Sequence, residues 1–276
     1  MSTATSNPRE VTPGAIDISA TQSVPFSRLV KVELRKMVDT RSGFWLLFTT
    51  GILLVLASGI SLLVVGLNDN VSLNATDISQ ILTIPLSLLL PVFAIQTVTS
   101  EWSQRTALVS FTLEANRVRV LTSKLSAVVL LALGTILLAV VLGAILNLAG
   151  AAVGGYDATW NLEASGMVAT VATQLLYFMM AFGIGAVVLS TPAAIALFYV
   201  VALMLPLMVY GTLMAFFEWA RDLIPWIDLQ FASAPFFESW SDLGGKEIGQ
   251  LIVATVIWVV IPLVVGTKRV MTTEPK

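Results

Sequence analysis

"SAVVLLALGTILLAVVLGAILNLA", residues 126–149, contains no Asp, Glu, Lys or Arg. A helix needs about 20 apolar residues to cross the hydrocarbon of a bilayer, and this run supplies them. Five more runs do the same, near 44–67, 80–99, 166–189, 192–214 and 247–266. Whole-chain composition agrees: 57% of the residues are apolar and only 12% are charged, whereas a soluble domain carries about 25% charged residues. The expected fold class is an all-α integral membrane protein with six transmembrane helices over 44–276. Residues 1–25 read as a polar, disordered cytoplasmic tail rather than a secretory signal, because no basic patch followed by an apolar core is present.

Lys and Arg set the expected orientation. Arg28, Lys31, Arg35, Lys36 and Arg41 precede the first run, Arg105, Arg117, Arg119 and Lys124 follow the second, and Lys268, Arg269 and Lys276 follow the sixth. The intervening connections 68–79 and 150–165 hold no Lys or Arg and carry Asp69, Asp77, Asp157 and Glu163. Both termini are therefore expected in the cytoplasm of a multi-pass plasma-membrane protein. Pro85 and Pro91 fall in the second run, Pro206 in the fifth and Pro262 in the sixth. Each removes a backbone hydrogen bond that neighbouring helices must replace.

Residues 26–43 read as an amphipathic interfacial helix. Phe26, Leu29, Val30, Leu34, Met37 and Val38 recur at three- and four-residue spacing, with Arg28, Lys31, Arg35 and Lys36 opposite. Such a helix lies among acyl chains with its cations near lipid phosphates, or serves only as a topology signal. The insert "SEWSQRTALVSFTLEANRVRVLTSKLS" (100–126) is longer than the usual connection of about two to eight residues, and it is both basic and half apolar. Leu108, Phe111 and Val120 either pack back under the bundle or face a partner.

The insert resembles the cytoplasmic loop of ATP-binding-cassette (ABC) transporter permeases of the six-helix, type-2 export class. That loop runs E-x-x-x-G-T-L, a short apolar helix, T-P-x-S-R-x-E and a closing G-K. Glu101, Thr106, Leu113, Arg117 and Lys124 fall at matching spacings, while Arg105, Glu114 and Ser123 stand where the family often has Gly, Pro and Gly. "LVKVELRKMVDTRSGFWLL" (29–47) is similar to the basic entry helix of the same class, with Glu33, Lys36 and Arg41 as its polar marks. The resemblance implies a coupling helix between spans two and three that docks on a separate ATPase subunit. Glu101, Arg105, Thr106, Leu108, Phe111, Arg117 and Lys124 are its expected contacts. It also implies a second permease subunit, as homodimer or heterodimer, and ATP with Mg on the partner ATPase. The second and fifth spans would line the substrate path, with Phe93, Gln96, Met204 and Met208 on its wall. An uncharged wall of this kind suits a lipid, peptide or drug-like cargo.

No cofactor, metal or nucleic acid is expected on this chain. It has no Cys or His, and "GGKE" (244–247) lacks the first glycine and the hydroxyl of a phosphate loop. Charges are confined to the ends of the apolar runs. An ion-coupled carrier ordinarily places a titratable or coordinating site at mid-depth, and a polytopic membrane enzyme needs convergent polar groups; both remain alternatives. "FFEWARDLIPWIDLQFASAPFFESWSDLGGKE" (216–247) mixes Trp and Phe with unclustered acids. It reads as short re-entrant or interfacial helices before span six, broken at Pro225 and Pro235.

Overall fold

The computed structural model describes residues 24–67, 74–103, 116–160, 164–237 and 240–273. Among these, every regular element is helical, and six helices are long and apolar enough to cross a membrane. An entry helix, Phe26–Asp39, precedes span one, Arg41–Leu67. Span two is Ala75–Leu89 followed by Pro91–Ser103. Span three is Arg117–Gly154 and span four Ala164–Val188. Span five is Thr191–Phe216 and span six Gly245–Thr272.

The span order follows the apolar runs, but several ends do not. Span three has 38 residues, about 57 Å at 1.5 Å per residue, against a hydrocarbon layer of about 30 Å. Its extra turns at the Arg117 end are polar and held by neighbours, so apolarity alone did not mark them. Asn116 starts the helix by accepting the Arg119 N–H at 3.1 Å, an N-cap. Span two begins at Ala75 because Asn74 and Asp77 form a reciprocal capping box there.

The prolines are absorbed in two ways. Span two breaks at Leu90, and Pro91 opens the second segment. At that break the Tyr199 hydroxyl of span five donates to the Leu88 carbonyl. Around Pro206 and before Pro262 the helices widen into π turns, Val200–Tyr210 and Val256–Val260. The Gly211 N–H donates to the Pro206 carbonyl and the Ile261 N–H to the Val256 carbonyl, five residues back in each case. A proline ring clashes with the carbonyl four residues back, and a shift in the ladder relieves the clash.

Spans two and four form the buried centre: 56% and 50% of their apolar windows are enclosed, against 22% or less in the other four. Phe93 and Ile95 of span two pack with Phe178, Met180 and Phe182 of span four in that core. Span six lies against span four at close range. A Cβ on Gly266 would stand 2.6 Å from the Ala186 Cβ and 3.0 Å from the Val187 backbone nitrogen. Without a hydrophobic drive between helices in lipid, such close approach of small residues supplies the packing.

Between spans five and six, a helix Glu218–Ile227 runs through Pro225, which does not break it. Pro225 is the eighth of the ten residues of that helix, where it removes one backbone hydrogen bond without ending the helix, and the helix buries Ala220 and Ile224. The break comes at Asp228, whose carboxylate accepts the Gln230 and Phe231 N–H groups, each at 3.0 Å, and starts Leu229–Ser233. Burial raises the Asp228 pKa, opposed by those two N–H groups. The Trp258 indole of span six holds the Ile227 carbonyl at 2.7 Å.

Gly266→Val forces a branched side chain into Ala186 and the span-four backbone. Overpacking of this kind costs about 1–3 kcal/mol, so thermal unfolding in detergent is expected at a lower midpoint. Val at Gly134, where nothing lies within 4 Å of an added Cβ, is expected to leave the midpoint near the parent value.

Candidate functional site

One end of the bundle gathers the basic residues. The sequence brings four charged side chains there on three separate helices. Glu33 and Lys36 lie three apart on the entry helix, Glu101 in the last turn of span two, and Lys124 two turns into span three. Lys124 Nζ donates to Glu33 Oε2 at 2.9 Å and to Glu101 Oε1 at 2.9 Å. Lys36 Nζ donates to Glu33 Oε1 at 2.8 Å and to Glu101 Oε1 at 2.9 Å. The contacts close into a ring of alternating charge: Glu33, Lys36, Glu101, Lys124 and back to Glu33.

Burial makes the ring consequential. The Lys124 side chain is 5% exposed, Glu33 9% and Glu101 11%, while Lys36 at 45% forms the wet corner. The entry helix buries Val30, Glu33 and Met37 on one stripe. Glu33 thus stands inside the apolar face that packs on span three. Glu101 occupies a helix C-terminus, where partial negative charge opposes a carboxylate; the two ammonium groups offset it. Burial alone would lower the Lys36 pKa, but the Glu33 and Glu101 carboxylates outweigh it and hold that pKa above its ordinary 10.5.

Arginines clamp helix ends around the ring. Arg117 Nη1 donates to the carbonyls of Met271 at 2.9 Å, Thr273 at 3.3 Å and Val270 at 3.4 Å, at the end of span six. A cation there complements the helix dipole and the last carbonyls. Arg269 donates to the Val187 carbonyl at the end of span four, and Arg119 to the Val24 carbonyl before the entry helix. Thr191, opening span five, joins through its hydroxyl to Thr99 at 2.7 Å and Ser103 at 3.2 Å. A small hollow beside the ring is lined by Trp102, Arg117, Leu121 and Val270, with Glu101 and Lys124 in its wall.

Of the residues expected to contact an ATPase, the structure brings Glu101 and Lys124 into the ring and places Arg117 beside it on the span-six carbonyls. Arg105, Thr106, Leu108 and Phe111 lie outside the described residues. Of the expected path residues, Phe93 is buried in the core, Gln96 is half-buried, and Met204 and Met208 are exposed on span five. Phe93 therefore does not share a surface with the two methionines. The sequence marked Glu33 only through the entry-helix resemblance, and Lys36 through that and its place among the cations of the polar face. The available signal was Glu33 at the i, i+3, i+7 positions of Val30, Glu33 and Met37, a carboxylate within an apolar stripe.

No family model matches the chain, and no curated protein matches it.

Lys124→Met leaves two carboxylates on Lys36 alone. Removing one partner from a buried ionic cluster costs about 3–5 kcal/mol, so the unfolding midpoint in detergent is expected to fall clearly. Lys36→Met is expected to cost less, because its ammonium is half in water. The Lys36 pKa is raised in the folded state. Its contribution is therefore fully present below 10.5 and is lost as pH rises through the higher folded value. Parent and Lys36→Met should accordingly converge only in strong alkali.

Proposed function

We propose that this chain is the membrane-spanning subunit of an ATP-driven ABC exporter, working as a dimer with separate ATPase subunits. The observation that carries the proposal is the organised basic end. The facing ends of spans two and three are fixed by the buried ring and arginine clamps, and they belong to the insert from Glu101 to Lys124 that resembles the coupling loop. A connection that merely joined two spans would not need this support. The orientation proposed puts the ring and both termini in the cytoplasm of the plasma membrane, in keeping with the bias of Lys and Arg toward that end.

In this reading Arg105, Thr106, Leu108 and Phe111 meet the ATPase, while Glu101, Lys124 and Arg117 hold the frame that presents them. ATP and Mg bind the partner chain. ATPase closure pushes on the connection, and the ends of spans two and three move with it. The path runs along span five, where Met204 and Met208 offer an exposed, adaptable apolar surface, and the resemblance adds Gln96 of span two to its wall. Such a surface favours an amphipathic or apolar cargo, since a charged cargo would lose its hydration there. Energy arrives from outside the bilayer, which fits spans whose charges lie only at their ends.

The test is purification of the tagged chain from its native membrane, followed by assay of Mg-dependent ATP hydrolysis. An ATPase subunit is expected to co-purify, with hydrolysis stimulated by amphiphiles more than by sugars or inorganic ions. Leu108→Asp is expected to lose most of the bound ATPase while the chain still inserts. Ion-coupled flux by the purified chain alone in liposomes, without ATP, would instead establish a secondary carrier.

A further inference from the structure

We propose that the entry helix is a rigid strut, locked by the charge ring to the ends of spans two and three and by a tight elbow to span one, so that displacement of those ends is delivered to span one. This inference concerns the chain's own mechanics and stands whether or not the transporter reading holds.

Two independent observations carry it. The first is the ring. Glu33 uses both carboxylate oxygens, one for each lysine, and Glu101 receives both lysines on one oxygen. The entry helix cannot slide or roll against span three without separating Glu33 from Lys124. That would leave a nearly buried ammonium and a nearly buried carboxylate short of partners. Slippage along an apolar seam has no such penalty. The helix is also pinned at its start by Arg119 of span three on the Val24 carbonyl.

The second observation is the elbow. The entry helix ends at Asp39 and span one starts at Arg41, with Thr40 alone between them in an extended conformation. The Thr40 hydroxyl accepts the Gly43 N–H at 3.1 Å, and the Thr40 carbonyl accepts the Phe44 N–H at 2.8 Å. A Cβ on Gly43 would overlap the Met37 carbonyl oxygen. The two helices therefore touch backbone to backbone at this corner, and the angle between them has little room to change. Phe44, Trp45 and Phe48 cluster on the exposed face of span one just past the elbow. Aromatic side chains of this kind favour the headgroup level, which fixes the depth at which the strut meets the bilayer.

The chain lacks Cys, so pairs of spin-labelled cysteines can report each joint. One pair, at Lys31 and Thr122, crosses the ring; a second, at Lys31 and Thr49, crosses the elbow; a third, at Leu137 and Val264, lies away from both. Narrow distance distributions are expected for all three in the parent chain. Glu33→Gln and Lys36→Gln are expected to broaden the ring pair and leave the other two narrow. Gly43→Val is expected to shift the elbow pair and leave the ring pair narrow. A ring pair that stays as narrow as the parent in both ring variants would overturn the proposal. So would an elbow pair that is already broad in the parent chain. Lys36→Gln removes a half-exposed corner without stranding a buried ammonium, so it reads the joint even if Glu33→Gln does not fold.

Discussion

One ammonium group and two carboxylates withdrawn from water, closed by a second ammonium at the wet corner, are the constraint on which the basic end of this fold depends. The cost of desolvating each of the three enclosed groups, Lys124, Glu33 and Glu101, is several kcal/mol, and it is offset when all four charges arrive together. Three separate helices supply them: the entry helix, the end of span two and the start of span three. An apolar quartet of similar volume would often be as stable or more so. What an apolar quartet would not give is a single allowed register. The ring accepts one depth and one rotation of the entry helix. That makes it a positioning device for the end of the molecule where the functional proposal lies.

The rest of that end is built around the same register. Arg117 on the span-six carbonyls, Arg269 on span four and Arg119 on Val24 each bind the end of one helix to another. The hydroxyls of Thr99, Ser103 and Thr191 join spans two and five. In the bilayer itself the helices meet through small residues, as at Gly266 against Ala186. The opposite end relies on different means: a buried Asp228 that caps a short helix, and an indole that holds its neighbour's last carbonyl. The basic end is thus cross-linked by buried charge, whereas the other end relies on backbone caps beside an exposed Lys246–Asp222 pair at 3.1 Å.

Much of this was legible in the sequence. Long uncharged runs gave six spans, because a bilayer admits few alternatives to a helix. The amphipathic entry helix was legible from its spacing. The ring was not. Glu33, Lys36, Glu101 and Lys124 each stood out as polar residues beside apolar runs, but nothing in one sequence says which distant charges meet. Charged residues at helix ends read as solvated or partner-facing, and here Lys124 is almost wholly enclosed. Helix limits were misread where capping, not apolarity, set them, as at Asn74 and Asn116. Pro225 was read as a breaker although it sits within Glu218–Ile227, where it gives up a single bond of the ladder and the helix runs on to Ile227. Phe93 and Met204 seemed alike by composition; only packing separates a core aromatic from an exposed methionine.

Alternation of charge is the core of this account, and amide hydrogen exchange across residues 26–39 measures it most directly. Reversing all four charges, Glu33→Lys, Lys36→Glu, Glu101→Lys and Lys124→Glu together, keeps every neighbour opposite in sign. Reversing only Glu33→Lys and Lys124→Glu sets like charges side by side at two edges of the ring. Protection of the entry helix is expected to be lost in the two-site variant and largely restored in the four-site variant. Equal protection in the two variants, or full protection in the two-site variant, would contradict the claim that the ring holds this helix in place.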